Sequence, residues 1–312
     1  MNISRTGLIE TIKTTKNFWQ AAKLMHSKHK RRIIFRNGLS IELSFQEYLR
    51  VRKLIASGCK VEKLNDTQLT VRGRNFEIKC SSELWGVLAN LQKEVKIKRF
   101  GQIDRDTFKV ETDKLILIGN LEMLHALIEI NRGFYSCECL DKVVLDVGGF
   151  QGETGAYFSS LGAKKVIIYE PVAMHQRIVE TNIALNNVNA ELHQEGIGNM
   201  NGYQSISYEN YGLKFGLVNG TKSVEIRIRN IVDVIKESQP DIAKFDCEGA
   251  EIALLQVPIS ILRTVSYYMI EVHSSKIKEA INTKFNASGF KPTKNFKNTC
   301  EQTSIIHFAR NS

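Results

Sequence analysis

The segment Val143-Val-Leu-Asp-Val-Gly-Gly-Phe-Gln-Gly-Glu-Thr154 constrains the fold more than any other stretch of this chain. A valine-rich apolar run reads as a buried strand. It ends at an acid, Asp146, and breaks into D-x-G-x-x-x-G with Gly148 and Gly152. Glycine at 148 lets the backbone turn tightly and lets a ligand come close. A helix then begins near Thr154. Strand, glycine turn and helix together open a β-α unit.

The same alternation continues downstream. Strands are expected at Lys165–Tyr169, Ala190–Gln194, Ile242–Asp246, Val265–Val272 and Ser304–Ala309. Helices are expected at Gly155–Leu161, Met174–Asn186, Ile231–Glu237 and Ile277–Ala287, and another starts at Glu251–Leu255. Ser205–Tyr208 and Val224–Arg229 suggest strands in an inserted excursion. Strands alternating with helices predict an α/β fold with a doubly wound, Rossmann-like parallel sheet. Such sheets bind ligands beyond the carboxyl ends of their strands.

The first 140 residues have a different texture. Leu8, Ile12, Trp19 and Ala22 fall near one helical face, ahead of the basic cluster Lys28, Lys30, Arg31 and Arg32. Ile33–Phe35 and Leu39–Leu43 flank Asn37-Gly38, a hairpin signal. Short alternating strands follow at Lys60–Leu64, Gln68–Arg72, Asn75–Lys79, Phe108–Glu111 and Leu115–Ile118. Helices are expected at Tyr48–Ala56, Leu84–Leu91 and Leu121–Asn131. The chain thus reads as a basic amphipathic segment over 1–36, a small α+β region over 37–140, and the doubly wound domain over 141–312.

Charge follows that division. Of the 43 Lys+Arg and 33 Asp+Glu residues, nine and one lie in 1–36, 16 and 14 in 37–140, and 18 and 18 in 141–312. The formal net charge of +10 therefore belongs mostly to the amino-terminal segment, unlike a protein that coats nucleic acid uniformly. No apolar run reaches the ~20 residues of a membrane span, and the amino terminus lacks a secretory pattern. Six cysteines without framework spacing read as reduced thiols of a cytoplasmic protein.

The chemistry gathers at the strand ends. Glu170 closes the second strand 24 residues after Asp146, where a carboxylate can accept hydrogen bonds from both ribose hydroxyls of a nucleoside. The dinucleotide fingerprint G-x-G-x-x-G is absent, because the order here is Gly148-Gly149-x-x-Gly152. An acid ahead of the glycines also suits a pyrophosphate poorly and suits a sulfonium and an α-amino group well. The pattern favours S-adenosylmethionine over a nicotinamide dinucleotide. Further along, Ile242-Ala-Lys-Phe-Asp-Cys-Glu-Gly-Ala-Glu251 ends a strand at Asp246, with Glu248 and Glu251 behind it. In Tyr268-Met-Ile-Glu-Val-His273, Glu271 and His273 point to one face of a strand. Glu248 and Glu251 could instead simply favour a helix N-terminus. Cys247 lies between acids that raise a thiol's pKa, which argues against a nucleophile. His125, His175, His193 and His307 are isolated and read as structural.

D-V-G-G-F-Q-G-E-T, Y-E-P, K-F-D-C-E-G-A-E and I-E-V-H, in that order, resemble the FkbM-type S-adenosylmethionine-dependent methyltransferases. The likeness is clear over residues 143–275 and weaker to 310. The D-x-E-G-x-E block is its specific part, since the glycine turn is common to many methyltransferases. Asn230 and Ile231 depart mildly from the family's Thr-Leu pair. The resemblance implies that Asp146, Gly148, Gly149, Phe150 and Gly152 line the methionine end of the cofactor. It implies that Glu170 holds the ribose, with Pro171 beside it, and that Gly196 and Ile197 lie near the adenine.

The expected activity is methyl transfer to a hydroxyl, with a sugar or glycan as the acceptor the resemblance implies. Asp246 is placed nearest the cofactor, Glu248 and His273 share candidacy as base, and Glu251 and Glu271 orient them. A divalent metal on Asp246, Glu248 and His273 is compatible with their ligand type, but none is assigned. Two alternatives remain open. One is an RNA methyltransferase that grips its substrate through 1–36, a segment that could instead lie on an anionic membrane surface and suit a lipid-linked glycan. The other is a non-catalytic binding protein on the same scaffold. The sequence is silent on oligomeric state.

Overall fold

The computed structural model describes residues 11–24, 27–65, 67–208, 215–216, 222–297 and 303–311. The chain forms two compact units. One comprises Met1–Asp113 with Ile118–Arg132, the other Lys114–Leu117 with Gly133–Ser312.

In the first unit, helix α1 (Phe18–Leu24) precedes the antiparallel hairpin β1 (Arg31–Ile34) and β2 (Ser40–Leu43). Helix α2 (Phe45–Ala56) starts with a capping box, in which Ser44 and Glu47 satisfy each other's backbone N–H groups. Strands β3 (Lys60–Lys63), β4 (Gln68–Arg72) and β5 (Glu77–Ser81) form an antiparallel sheet. Helix α3 (Ser82–Glu94) follows, then β6 (Ile97–Gln102) paired antiparallel with β7 (Phe108–Thr112). Strand β8 (Ile116–Gly119) has its first two residues in the second unit and its last two in the first, where helix α4 (Leu121–Asn131) follows.

In helix α1 the buried face differs from the apolar stripe read from the sequence. Ala21 and Leu24 are its buried residues, while Trp19 is 70% exposed and Ile12 also lies open. The apolar stripe drawn through Ile12, Trp19 and Ala22 is therefore not the one that packs. Leu8, the first residue of that stripe, lies outside the described residues, as do His26 and Cys300.

The second unit contains β9 (Val143–Val147), α5 (Glu153–Ser160), β10 (Lys165–Tyr169), α6 (Ala173–Leu185) and β11 (Ala190–His193). An excursion follows, made of β12 (Gly196–Gly198), β13 (Gly202–Tyr208), β14 (Phe215–Gly216) and β15 (Lys222–Asn230). These four form a separate sheet in the order β12-β15-β13-β14. The chain then resumes with α7 (Ile231–Ser238), β16 (Ile242–Phe245), a 3-10 turn (Ala250–Gln256) and α8 (Ile259–Leu262). Strand β17 (Tyr267–Val272), helix α9 (Ser275–Ala287), β18 (Phe290–Lys297) and β19 (Ser304–Arg310) end it.

The main sheet has seven strands in the order β11-β10-β9-β16-β17-β19-β18. Strands β11, β10, β9, β16 and β17 run parallel. Strand β19 is antiparallel to both β17 and β18, so the sheet is mixed at that edge. The core joins Leu145, Ile167, Phe245 and Ile270 of adjacent parallel strands to Leu254, Phe285 and Phe308. Strands β9, β10, β16 and β17 are nearly continuously buried, as the centre of a sheet covered on both faces requires, while β11 at the edge is not. Asp146 aligns with Ile168 of β10 on one side and Lys244 of β16 on the other. This register sets the ends of β10, β9, β16 and β17 side by side.

Among the described residues no helix is long and apolar enough to cross a membrane.

Candidate active site

The glycine turn after β9 is built by close approach. A Cβ on Gly148 would stand 1.8 Å from the Asp246 carbonyl oxygen, and its φ is +79°. A Cβ on Gly149 would stand 2.2 Å from Ile168. Both positions demand glycine. The N–H groups of Gly148 and Gly149 donate to the carbonyl of Tyr169, which ties the turn to the end of β10.

Behind this turn lies a buried charged group that the motif reading left without a role. Lys244, in the apolar strand β16, is 2% exposed and sits 3.0 Å from Asp146 Oδ1. It donates to the Gly148 carbonyl at 2.7 Å and lies 3.9 Å from Asp246 Oδ2. Burial alone would pull its ammonium down. The Asp146 and Asp246 carboxylates overcome that and hold it above the ordinary lysine value. Asp146 is wholly buried, and its Oδ2 accepts a 2.6 Å hydrogen bond from Thr154. It faces Lys244 and the start of α5, so its place is inside the support of the turn rather than on a surface a ligand meets.

Glu170 is 5% exposed. Its Oε2 accepts the Phe150 N–H at 3.0 Å, its Oε1 accepts the Val172 N–H at 2.9 Å, and His175 Nδ1 lies 3.1 Å from Oε1. Two carboxylate oxygens offer about four acceptor positions, so one remains beyond these three. Phe150 has a φ of +44°, and its ring packs edge-on against His175. His175 is thus part of this cluster, not an isolated structural residue. Pro171 lies against Gly196, whose Cβ would be 3.7 Å from it. Ile197 is buried in the main core with Leu145 and Tyr169, and Gly152 opens α5 against Val179.

A second cluster forms where β16 and β17 end. Glu251, wholly buried, accepts the Nδ1 proton of His273 on Oε1 at 3.0 Å and the Gly249 N–H on Oε2 at 2.8 Å. His273 Nε2 then faces Glu248 Oε2 at 3.5 Å and Glu271 Oε2 at 3.6 Å. Burial would lower the His273 pKa, but the Glu251 hydrogen bond and the surrounding carboxylates raise it. Glu248 is half exposed and takes a left-handed φ of +52°. Tyr135, 3% exposed, donates its hydroxyl to Asp246 Oδ2 at 2.8 Å. Burial works to raise Asp246, yet Lys244, Glu271 and Tyr135 together hold it below the usual carboxylate range. Burial, then Glu251 and Asp246, push the Cys247 thiol well up, away from nucleophilic chemistry.

The sequence motifs therefore meet in two clusters, one at Glu170 and one at His273. They flank a glycine turn that Lys244 braces. Carboxylates on both sides of an open glycine turn match the donor needs of a ribose and a sulfonium.

Residues 146–292 match the methyltransferase FkbM domain. Over that stretch, just under half of its length, the chain is similar to this family. It is a methyltransferase. Among solved structures, it is similar to a proposed SAM-dependent methyltransferase from Streptococcus mutans at 10% identity. That alignment covers 90% of this chain and 86% of the other, with a TM-score of 0.46. It is also similar to the ribosomal protein L11 methylase of Lactobacillus delbrueckii subsp. bulgaricus (14% identity, 62% of this chain, 81% of that one, TM-score 0.37). A third is an rRNA methylase from Streptococcus thermophilus (11% identity, 59% and 96%, TM-score 0.40). No curated protein matches the sequence. In this methyltransferase, Lys244, Tyr135, Thr154 and His175 join the site without having been singled out by motif. Lys244 opens the K-F-D-C-E-G-A-E block and stands in an otherwise apolar run, and either signal could have found it.

Proposed function

We propose that this methyltransferase transfers its methyl group to a hydroxyl, on an acceptor of sugar or glycan type. The observation that carries this reading is the wholly buried Glu251 carboxylate holding His273 by Nδ1, with Nε2 turned toward Glu248. An alcohol is a weak nucleophile until its proton has somewhere to go. S-adenosylmethionine supplies an electrophilic methyl group on sulfur. The residues of the chain supply alignment and a proton acceptor.

In this reading Glu170 and the turn Gly148–Gly152 hold the cofactor. Phe150 closes over it from the turn, while Pro171, Gly196 and Ile197 shape the adenine side. Asp146 works from behind the turn through Lys244. The hydroxyl proton passes to the pair Glu248–His273, while Glu251 and Glu271 fix the imidazole and Tyr135 fixes Asp246.

The amino-terminal basic segment is secondary in this reading. Lys30 already pairs with Glu47 at 3.0 Å, and Arg32 lies 3.9 Å from Glu42. Charges answered by nearby acids grip a polyanion weakly. The test is methyl transfer from labelled S-adenosylmethionine to panels of glycans, lipid-linked sugars and RNA. Label in a glycan hydroxyl supports the proposal. Label confined to RNA or to an amine would overturn it.

A further inference from the structure

Asp246, Glu271 and His273 each present one ligand atom, and these three atoms all lie within 4.8 Å of one another. Their side chains are 24%, 17% and 20% exposed, recessed but open to solvent. Asp246 follows β16, whereas Glu271 lies in the neighbouring strand β17 and His273 follows it. The set is two oxygens and one imidazole nitrogen, a composition suited to a divalent cation such as Mg2+ or Mn2+.

Two of the three are oriented from behind by buried groups on other parts of the fold. Glu251, wholly buried, takes the Nδ1 proton of His273 and so fixes the tautomer whose lone pair is on Nε2. Tyr135, reaching in from 111 residues earlier in the chain, donates to Asp246 Oδ2 at 2.8 Å. A carboxylate behind a histidine and a fixed donor behind a carboxylate are the outer supports that metal ligands use. Charge points the same way. Asp246, Glu248, Glu251 and Glu271 gather around one imidazole, while Lys244, the nearest ammonium, is 3.0 Å from Asp146 and 3.9 Å from Asp246.

We propose that Asp246, Glu271 and His273 form a binding site for a divalent, oxygen-preferring cation, held ready by Tyr135 and Glu251. The ligand set differs from the sequence-based one, with Glu271 in place of Glu248. The role of the site rests on the hydroxyl reading above. A cation here lies beside the acceptor oxygen and stabilises its negative charge, leaving Glu248 to take the proton.

The test uses the full chain, stripped with EDTA, returned to chelator-free buffer and titrated with Mn2+. The electron paramagnetic signal of free Mn2+ reads what is bound. About one Mn2+ per chain is expected. Glu271→Gln and His273→Ala should weaken it ~10-fold or more, and Tyr135→Phe less, while Glu248→Gln leaves the stoichiometry intact. Calorimetry with S-adenosylhomocysteine checks that each variant is folded. Tyr135→Phe serves as the mild probe if the others are not.

No stoichiometric Mn2+ on the wild type, or equal binding by folded Glu271→Gln and His273→Ala chains, would overturn the site. Mn2+ binding that depends on these residues, without transfer to any hydroxyl, would uphold the site and sink the hydroxyl reading. Undiminished hydroxyl methylation in EDTA, with no Mn2+ bound in the titration, would do the reverse.

Discussion

The Lys244 ammonium donates to the Gly148 carbonyl at 2.7 Å while facing Asp146 at 3.0 Å. One buried charge therefore braces the glycine turn from the neighbouring strand. Lys244→Met leaves the Asp146 carboxylate buried without its cation, and breaking such a pair costs ~3–5 kcal/mol. A large fall in the urea midpoint is expected, with a looser cofactor. Adding Asp146→Asn should recover part of the loss. An unchanged midpoint in Lys244→Met would show that the pair carries no stability.

Glu170 holds the Phe150 and Val172 N–H groups, and its remaining acceptor position is the one available to a ribose. Glu170→Ala should weaken S-adenosylhomocysteine binding by ~10-fold or more, as hydrogen bonds to a charged group imply. Calorimetry measures this directly. Equal affinity would remove Glu170 from the pocket.

Glu251→Gln and His273→Ala should leave cofactor binding within ~3-fold of wild type and reduce turnover ~10²–10⁴-fold, the span of a lost proton acceptor. In Glu251→Gln the amide can still contact the ring but no longer stabilises it as a carboxylate does. Single-turnover rates at saturating cofactor separate this from binding. A fully active His273→Ala chain would refute the assignment of the imidazole.

Glu153, 4% exposed at the start of α5, has its carboxyl pushed by burial up to about 8 from an ordinary 4.5. The fold favours its protonated form. That contribution is complete below pH 4.5 and is lost as the pH rises through about 8. At ~1.4 kcal/mol per pH unit, the difference is on the order of 5 kcal/mol. Thermal unfolding from pH 5 to 9 should show stability falling toward alkaline pH, and Glu153→Gln should flatten that fall. Parallel curves for the two chains would count against a neutral acid at this position.

The parallel core could be read from the chain before any coordinates. Val143–Val147 and Lys165–Tyr169 are nearly continuous apolar runs, and burial on both faces leaves such strands no other composition. Strands β18 and β6 could not. Phe290–Lys297 buries only its first residue outright, and Ile97–Gln102 carries Lys98 and Arg99 in the open. Without an apolar rhythm, edge strands look like loops. The site divides the same way. Asp246, Glu251, Glu271 and His273 sit at strand ends where topology alone brings them together. Tyr135 does not announce itself, and Lys244, although it opens the K-F-D-C-E-G-A-E block, has no role that the pattern assigns. The tyrosine arrives from a distant segment, and a lysine is ordinarily expected in water. Trp19 shows the limit of the helical stripe, because a large aromatic on a short helix can lie exposed.

Strand β19 lies between β17 and β18 although it is made after both. During synthesis, β17 and β18 must wait with unpaired edges until Ser304–Arg310 leaves the ribosome and slots between them. The order of the genetic message thus opposes the order of assembly in this half of the sheet. A stop codon ahead of Ser304 would remove an interior strand and expose two hydrogen-bonding edges, the condition under which chains add to one another rather than fold.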